Sequence, residues 1–323
     1  MSVNVAPLSR RFGQSAMGRI GNTPLLRLDR VTARLNGVQI LAKAEWCNPG
    51  GSVKDRAASN ILTEALRDGK LSHGRILLDA TSGNTGIAYA MLGAAYGFPV
   101  TLCMPANVSE ARKQILYAYG AKIVYTDPGE GSDGAIHKAR ELHQLAPEKY
   151  FYADQYSNDA NWRAHYSHGT ADEIWRQTEG RVTHFVAMMG TSGTFVGTSR
   201  RLKELNPAIL CTSLQPDSAF HGIEGTKHMA TSIVPKIYDP SIADNEQEIR
   251  TEEAYEMARW LAREEGLLVG VSGAAALVGS IRVAQSARSG SVVITLFPDA
   301  GERYLSEPFW AEAQTAKEPE FDL

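Results

Sequence analysis

Lys54 lies in Pro49-Gly50-Gly51-Ser52-Val53-Lys54-Asp55-Arg56, where two glycines and a serine run into a lysine. Apolar residues then recur at Ala57, Ala58, Ile61, Leu62 and Leu66, a helical period that predicts an amphipathic helix starting at the lysine. Glycine lets the backbone approach a ligand closely, and a helix start offers unpaired N–H groups. A lysine fixed at such a junction is a candidate Schiff-base nucleophile; the plain alternative is a solvated surface lysine.

Two more glycine-rich turns join strand-like to helix-like segments. Thr81-Ser82-Gly83-Asn84-Thr85-Gly86 follows the apolar run Ile76-Leu77-Leu78 and precedes Ile87-Ala88-Tyr89-Ala90-Met91-Leu92. Gly190-Thr191-Ser192-Gly193-Thr194 follows Phe185-Val186-Ala187-Met188-Met189 and precedes a helical stretch with Phe195, Val196, Leu202 and Leu205. Hydroxyls, backbone N–H groups and a helix dipole converge there on any bound anion, although an ordinary well-capped loop has the same composition. A reactive lysine with two anion cradles fits a cofactor carrying an aldehyde and a phosphate, namely pyridoxal phosphate.

Strand candidates 40–42, 76–78, 100–104, 122–125, 185–188, 210–214 and 292–296 alternate with helical segments such as 109–119 and 133–144. That alternation implies α/β architecture with mainly parallel sheets and helices on both faces. Sites in such sheets lie at the C-terminal ends of strands, where both glycine loops fall. The 323 residues suffice for two domains, and 43% hydrophobic and 21% charged residues are globular values. A net charge of −3 gives no general attraction to nucleic acid or an anionic membrane. No stretch reaches the roughly 20 apolar residues that span a bilayer. The start, interrupted by Arg10, Arg11 and Arg19, lacks a signal-peptide core, so the expected location is cytoplasmic. Cys47, Cys103 and Cys211 suggest neither disulfides nor a metal knuckle.

The segments Asn48 to Ala58, 81–86, 190–194, Gly21-Asn22-Thr23-Pro24-Leu25 and Gly301-Glu302-Arg303-Tyr304-Leu305-Ser306 occur in an order that resembles the cysteine synthase family. These are the O-acetylserine or O-phosphoserine sulfhydrylases of the tryptophan-synthase-β class (fold type II) of pyridoxal phosphate enzymes. Asp154-Gln155-Tyr156-Ser157-Asn158, His165-Tyr166 and Ile237-Tyr238-Asp239-Pro240 are similar to the B-type branch. The resemblance implies two three-layer αβα domains with the cofactor in the cleft between them. Residues 47–158 would form a small mobile domain, 21–46 plus 159–306 a larger cofactor domain, and 307–323 a tail or lid. It further implies a homodimer, with serine acetyltransferase or a sulfur-carrier protein as possible partners.

Roles follow from the same resemblance. Lys54 would hold the cofactor as an imine and then remove the substrate Cα proton. Asn84 would hydrogen-bond the ring oxygen, and Gly190, Thr191, Ser192, Gly193 and Thr194 would bind the phosphate. Ser192 stands where the family usually has glycine, and is tolerated if its φ is negative. Thr81, Ser82, Thr85 and Gln155 would grip the substrate carboxylate and draw the small domain shut. Ser272, in Val271-Ser272-Gly273-Ala274-Ala275, would face the pyridine nitrogen, with a helix N-cap as its plain alternative. A neutral hydroxyl there makes the ring a weaker electron sink and favours β-elimination. An activated serine would then lose its leaving group, and a sulfur nucleophile would attack the resulting aminoacrylate to give L-cysteine.

Lys227, in Gly225-Thr226-Lys227-His228-Met229, occupies a place where phosphoserine-using relatives often carry arginine, so it is a candidate for the substrate anion rather than a solvated loop lysine. His221 and His228 lack the spacing and carboxylates of a metal site, so no metal is expected. Other readings are a cystathionine β-synthase, a serine dehydratase or a non-catalytic binding partner. Neither a regulatory domain nor a haem-binding extension is expected, the lysine motif lacks the dehydratase form, and Lys54, Asn84, Gln155 and Ser272 are all present.

Overall fold

The computed structural model describes residues 15–72, 74–81 and 83–311. Among them the strands are β1 (Leu25–Arg27), β2 (Gln39–Ala44), β3 (Ile76–Ala80), β4 (Val100–Pro105) and β5 (Lys122–Thr126). They continue with β6 (Tyr150–Tyr152), β7 (His184–Met188), β8 (Leu210–Pro216), β9 (Asn245–Ile249) and β10 (Val292–Phe297). Every strand expected from sequence is present. The three not expected are β1, β6 and β9. Two are only three residues long, and β9 reads Asn-Glu-Gln-Glu-Ile with little apolar signal.

Two sheets result. The smaller has the order β5-β4-β3-β6 and is wholly parallel. The larger runs β1-β2-β10-β7-β8-β9, parallel except that β1 pairs antiparallel with β2. Its strands come from both ends of the sequence, because β10 lies beside β2 with Val292 opposite Gln39. A break of this kind has no local signal, since it depends on contacts between residues hundreds of positions apart.

Each sheet is covered on both faces. All six residues of β4 are buried, as are five of the six in β10, the continuous apolar pattern of a strand between two helix layers. Around the larger sheet, one core gathers the helices Thr251–Trp260 and Val271–Ser286, and another gathers Phe185, Phe195 and Leu202. Around the smaller one, the helices Lys54–Arg67 and Asn84–Tyr96 form one face, and Ala135, Ile136 and Ala139 the other. The fold is therefore mixed α/β with two three-layer units. No helix of the described residues is long and apolar enough to cross a membrane.

The expected C-terminal tail begins differently. Phe309 is buried and stacks on Tyr255 at 4.2 Å between ring centroids, so residues 307–311 dock on the larger unit. Residues 312–323 lie outside the described residues.

Candidate active site

The lysine loop is held from below by a buried ionic cluster. Arg56, two residues beyond Lys54, donates to Glu45 at 2.7 Å and to Glu173 at 2.7 and 2.8 Å. Lys43 donates to Glu173 at 2.7 Å, and Thr23 to Glu45 at 2.8 Å. Two cations and two carboxylates balance, which is the condition for tolerating charges at this depth. The partners come from β2, from Thr23 beside β1, and from the helices Lys54–Arg67 and Thr170–Gln177, so the cluster fixes where the lysine helix begins. That helix starts at Lys54, as the sequence predicts.

Above it lies a cavity of about 550 Å³. Lys54, Thr81, Asn84, Thr85, Gln155, Gly190, Thr191, Ser192, Thr194, Lys227 and Ser272 all line it. Eleven residues chosen from separate stretches of sequence therefore meet in one space. Gly193 is not on the lining; it starts the helix Gly193–Leu205 and packs so closely on Asn161 that a Cβ would lie 2.1 Å from Asn161 Oδ1. Ser82 lies outside the described residues.

The loop 190–194 has the chemistry of a phosphate cradle. Its hydroxyls stand at the N-terminus of a 13-residue helix, where dipole and free N–H groups favour an anion. Ser192 Oγ is buried with no hydrogen-bond partner, a donor whose natural complement is an anion. The residues thus fit the phosphate of pyridoxal phosphate. One expectation is corrected: Ser192 has φ +66°, in the left-handed region, so the serine is accommodated at a backbone cost that glycine would avoid. Behind the loop, His165 places Nε2 3.3 Å from Thr194 Oγ1 and Nδ1 2.8 Å from Thr170 Oγ1. Burial, with the Arg56 charge, lowers its pKa to about 3, so the ring is neutral.

Thr81 Oγ1 accepts from Gly83 and Gly86 N–H, both at 3.2 Å, closing the turn into the helix Asn84–Tyr96. Because that oxygen already accepts twice, its proton is left to donate into the cavity. Thr85 donates to Gln155 Oε1 at 2.8 Å, and Gln155 Nε2 donates to the Ala80 carbonyl at 2.7 Å, leaving a second amide proton. Thr81 and Gln155 therefore present donors suited to a carboxylate.

Ser272 occupies the second position of the helix Val271–Ser286, whose N-cap is Gly270, so the N-cap alternative is excluded. Lys227 is 7% exposed, which excludes a solvated loop lysine. Its Nζ lies 3.3 Å from Asp133 and 5.2 Å from the Tyr156 ring centroid. Arg112, Glu224 and Tyr304, to which sequence reading assigned no site role although Tyr304 lies in the Gly301–Ser306 segment, also line the cavity. Arg112 pairs with Glu224 and lies over the Tyr304 ring. An arginine on an amphipathic helix carries no sequence signal that separates it from a solvated one.

Burial lowers the Lys54 pKa, and the Asp299 charge partly opposes the shift. A lysine moved this way is more readily neutral, the form needed of a nucleophile and base.

A family profile described as pyridoxal-phosphate dependent enzyme matches residues 16–299. A cysteine synthase of Aquifex aeolicus is 50% identical over 308 residues, covering 94% of each chain. Cysteine synthase B of Pseudomonas aeruginosa is 42% identical, covering 89% of this chain and 94% of its own. The crystal structure of a cysteine synthase (OASS) from Entamoeba histolytica superposes with a TM-score of 0.89 at 34% identity, covering 99% of this chain and 96% of that one.

Proposed function

This chain belongs to the pyridoxal-phosphate dependent enzymes, and on that premise we propose that it is a cysteine synthase converting O-acetylserine to L-cysteine by β-replacement. The observation that carries the reading is the convergence of Lys54, the hydroxyl-rich loop 190–194 and Ser272 on one cavity. Pyridoxal phosphate, when bound, supplies an aldehyde for Lys54 and an electron-withdrawing ring that acidifies the substrate Cα–H.

The protein's own groups do the rest. Thr191, Ser192 and Thr194 hold the phosphate through hydroxyls, with helix N–H groups behind them. Ser272 offers the ring nitrogen a neutral partner, which leaves the ring a restrained electron sink and favours loss of the β-substituent. Thr81 and Gln155 bind the α-carboxylate, with Thr85 holding the Gln155 amide in place, and orient Cα toward Lys54. Lys54 Nζ, neutral once released, takes the Cα proton, and the same amine returns a proton to Cα after sulfur has added at Cβ.

In the same reading, residues 47–158 move as a small unit against 21–46 plus 159–306 when the carboxylate is bound, excluding water. The polar pairs Lys227–Asp133 and Arg112–Glu224 join these two parts, which supports contacts that open and reclose. Sulfide or a sulfur carrier is the donor, Lys227 handles an anionic leaving group, and Ser82 completes the carboxylate site. A cytoplasmic homodimer, with serine acetyltransferase as a possible partner, belongs to the same proposal. Sedimentation at twice 35.1 kDa would support the dimer.

The test is a visible absorption spectrum of the purified protein before and after O-acetylserine. A band that shifts with O-acetylserine, and is absent from Lys54→Ala, is expected. Cysteine formation by Lys54→Ala, or a band indifferent to O-acetylserine, would sink the assignment.

A further inference from the structure

The stretch from Pro298 to Tyr304 surrounds Asn84 without contributing a group to the chemistry proposed for the site. Asp299 is 1% exposed, and its Oδ2 accepts from Asn84 Nδ2 at 2.6 Å and from the Tyr304 hydroxyl at 2.5 Å. Arg303 approaches Asn84 from the other end, donating through Nη1 to Asn84 Oδ1 and through Nη2 to the Gly50 carbonyl at 2.5 Å. A guanidinium only donates, so the end of the amide facing Arg303 must be the oxygen. With the oxygen fixed at that end, the end facing Asp299 is the nitrogen, which donates to Oδ2 beside the Tyr304 hydroxyl. Turning the amide over would set donor against donor and acceptor against acceptor.

One Nδ2 proton is spent on Asp299, and the other is left on a side chain that lines the cavity. We propose that Asp299 and Arg303 are positioning residues, a two-sided clamp that keeps Asn84 a hydrogen-bond donor toward the ring oxygen of pyridoxal phosphate. The inference rests on the cofactor reading above and assigns Asn84's orientation to residues outside the proposed contact set.

The clamp is itself fixed. Val53 N–H donates to the Pro298 carbonyl at 2.8 Å, and Gly270 N–H to the Asp299 carbonyl at 3.0 Å. A Cβ on Gly270 would lie 2.0 Å from Asp299 Oδ1, so glycine is required there for the carboxylate to sit where it does. The lysine loop, the helix bearing Ser272 and the turn bearing Asn84 are thereby tied to one short segment.

The experiment compares protein loaded with pyridoxal phosphate as Asn84→Ala, Asp299→Ala, Arg303→Met, Arg303→Lys and the double variant Asn84→Ala/Arg303→Met. The readouts are the position of the visible band and the cofactor dissociation constant. Only folded protein binds cofactor, so band position reports the site even if a variant is less stable. Asp299→Ala and Arg303→Met are expected to move the band as Asn84→Ala does and to weaken cofactor binding by about tenfold, the loss of one well-placed hydrogen bond. Arg303→Lys, which keeps a donor, should lie nearer the parent, and Arg303→Met should add nothing once Asn84 is alanine. Parent-like bands in Asp299→Ala and Arg303→Met beside a shifted Asn84→Ala would overturn the clamp alone, as would additive effects in the double variant. A band unmoved by Asn84→Ala would overturn the ring-oxygen role and the clamp together. No band in the parent would overturn the cofactor reading itself.

Discussion

Asn161 Nδ2 donates to Thr191 Oγ1 at 3.1 Å, and the same amide nitrogen donates to the Gln155 carbonyl at 2.7 Å. One side chain thus connects the loop 190–194 with Gln155, the two elements proposed above for the phosphate and the substrate carboxylate. Gly193 packs against the same amide, so the start of the helix Gly193–Leu205 and Gln155, just beyond the smaller sheet, are placed relative to each other by Asn161. The two loops share a frame, and changes in one are expected to reach the other.

Ser192 trades backbone comfort for a donor. At φ +66° a non-glycine residue costs about 1 kcal/mol, while its buried Oγ has no partner in the protein. Ser192→Gly is therefore expected to raise the unfolding free energy of cofactor-free protein by about that amount, and to quicken cofactor release. Denaturant unfolding and a release assay check the two halves. Unchanged release would show that the hydroxyl does not serve the phosphate.

Glu173 is the anion on which Lys43 and Arg56 both depend. Those cations, after the opposing effect of burial, hold its carboxyl down to about 2 against an ordinary 4.5. A depressed carboxyl stabilises the fold above its unfolded value, and that contribution is lost as pH falls from about 4.5 to about 2. Glu173→Gln leaves two buried cations under-compensated and is expected to cost about 3–5 kcal/mol at neutral pH. Urea unfolding at pH 7 checks this; a loss under about 1 kcal/mol would mean that the cluster reorganises freely.

Asp79 acts in the opposite sense. Burial raises its pKa to about 7 despite N–H donors at Ala80 and Gln155. The fold favours the protonated acid, so this contribution is complete below the unfolded value of 3.8 and is lost as pH rises through about 7. Asp55, also raised to about 7 by burial, adds a slope of the same sign. Asp79→Asn should reduce the fall in melting temperature between pH 5 and pH 8 without removing it. An identical slope in parent and variant would show that Asp79 does not titrate in that window.

Lys227 pairs with Asp133 at 3.3 Å and lines the cavity. Lys227→Ala is expected to raise KM for O-phosphoserine at least tenfold while changing KM for O-acetylserine little, since only the dianion needs the point charge. Steady-state kinetics with both substrates checks it. Equal losses would assign Lys227 to packing between Asp133 and Tyr156.

Sequence by itself determined the local chemistry. A glycine-serine loop before a helical period marks Lys54, and hydroxyl-glycine turns after apolar strands mark the two cradles, because these signals depend only on neighbouring residues. Tertiary structure decided the rest. The left-handed backbone of Ser192 follows from how its loop closes, and the burial of Lys227 from contacts with Asp133 and Tyr156, both far away in sequence. Arg112 and Asp299 show no periodicity or spacing that sets them apart from structural residues, and Arg303, although within the Gly301–Ser306 segment, has none that assigns it a role. Their positions emerge only when β10 is laid beside β2 and the smaller sheet packs above the lysine loop, because a hydrogen bond is a relation in space and sequence distance does not encode it.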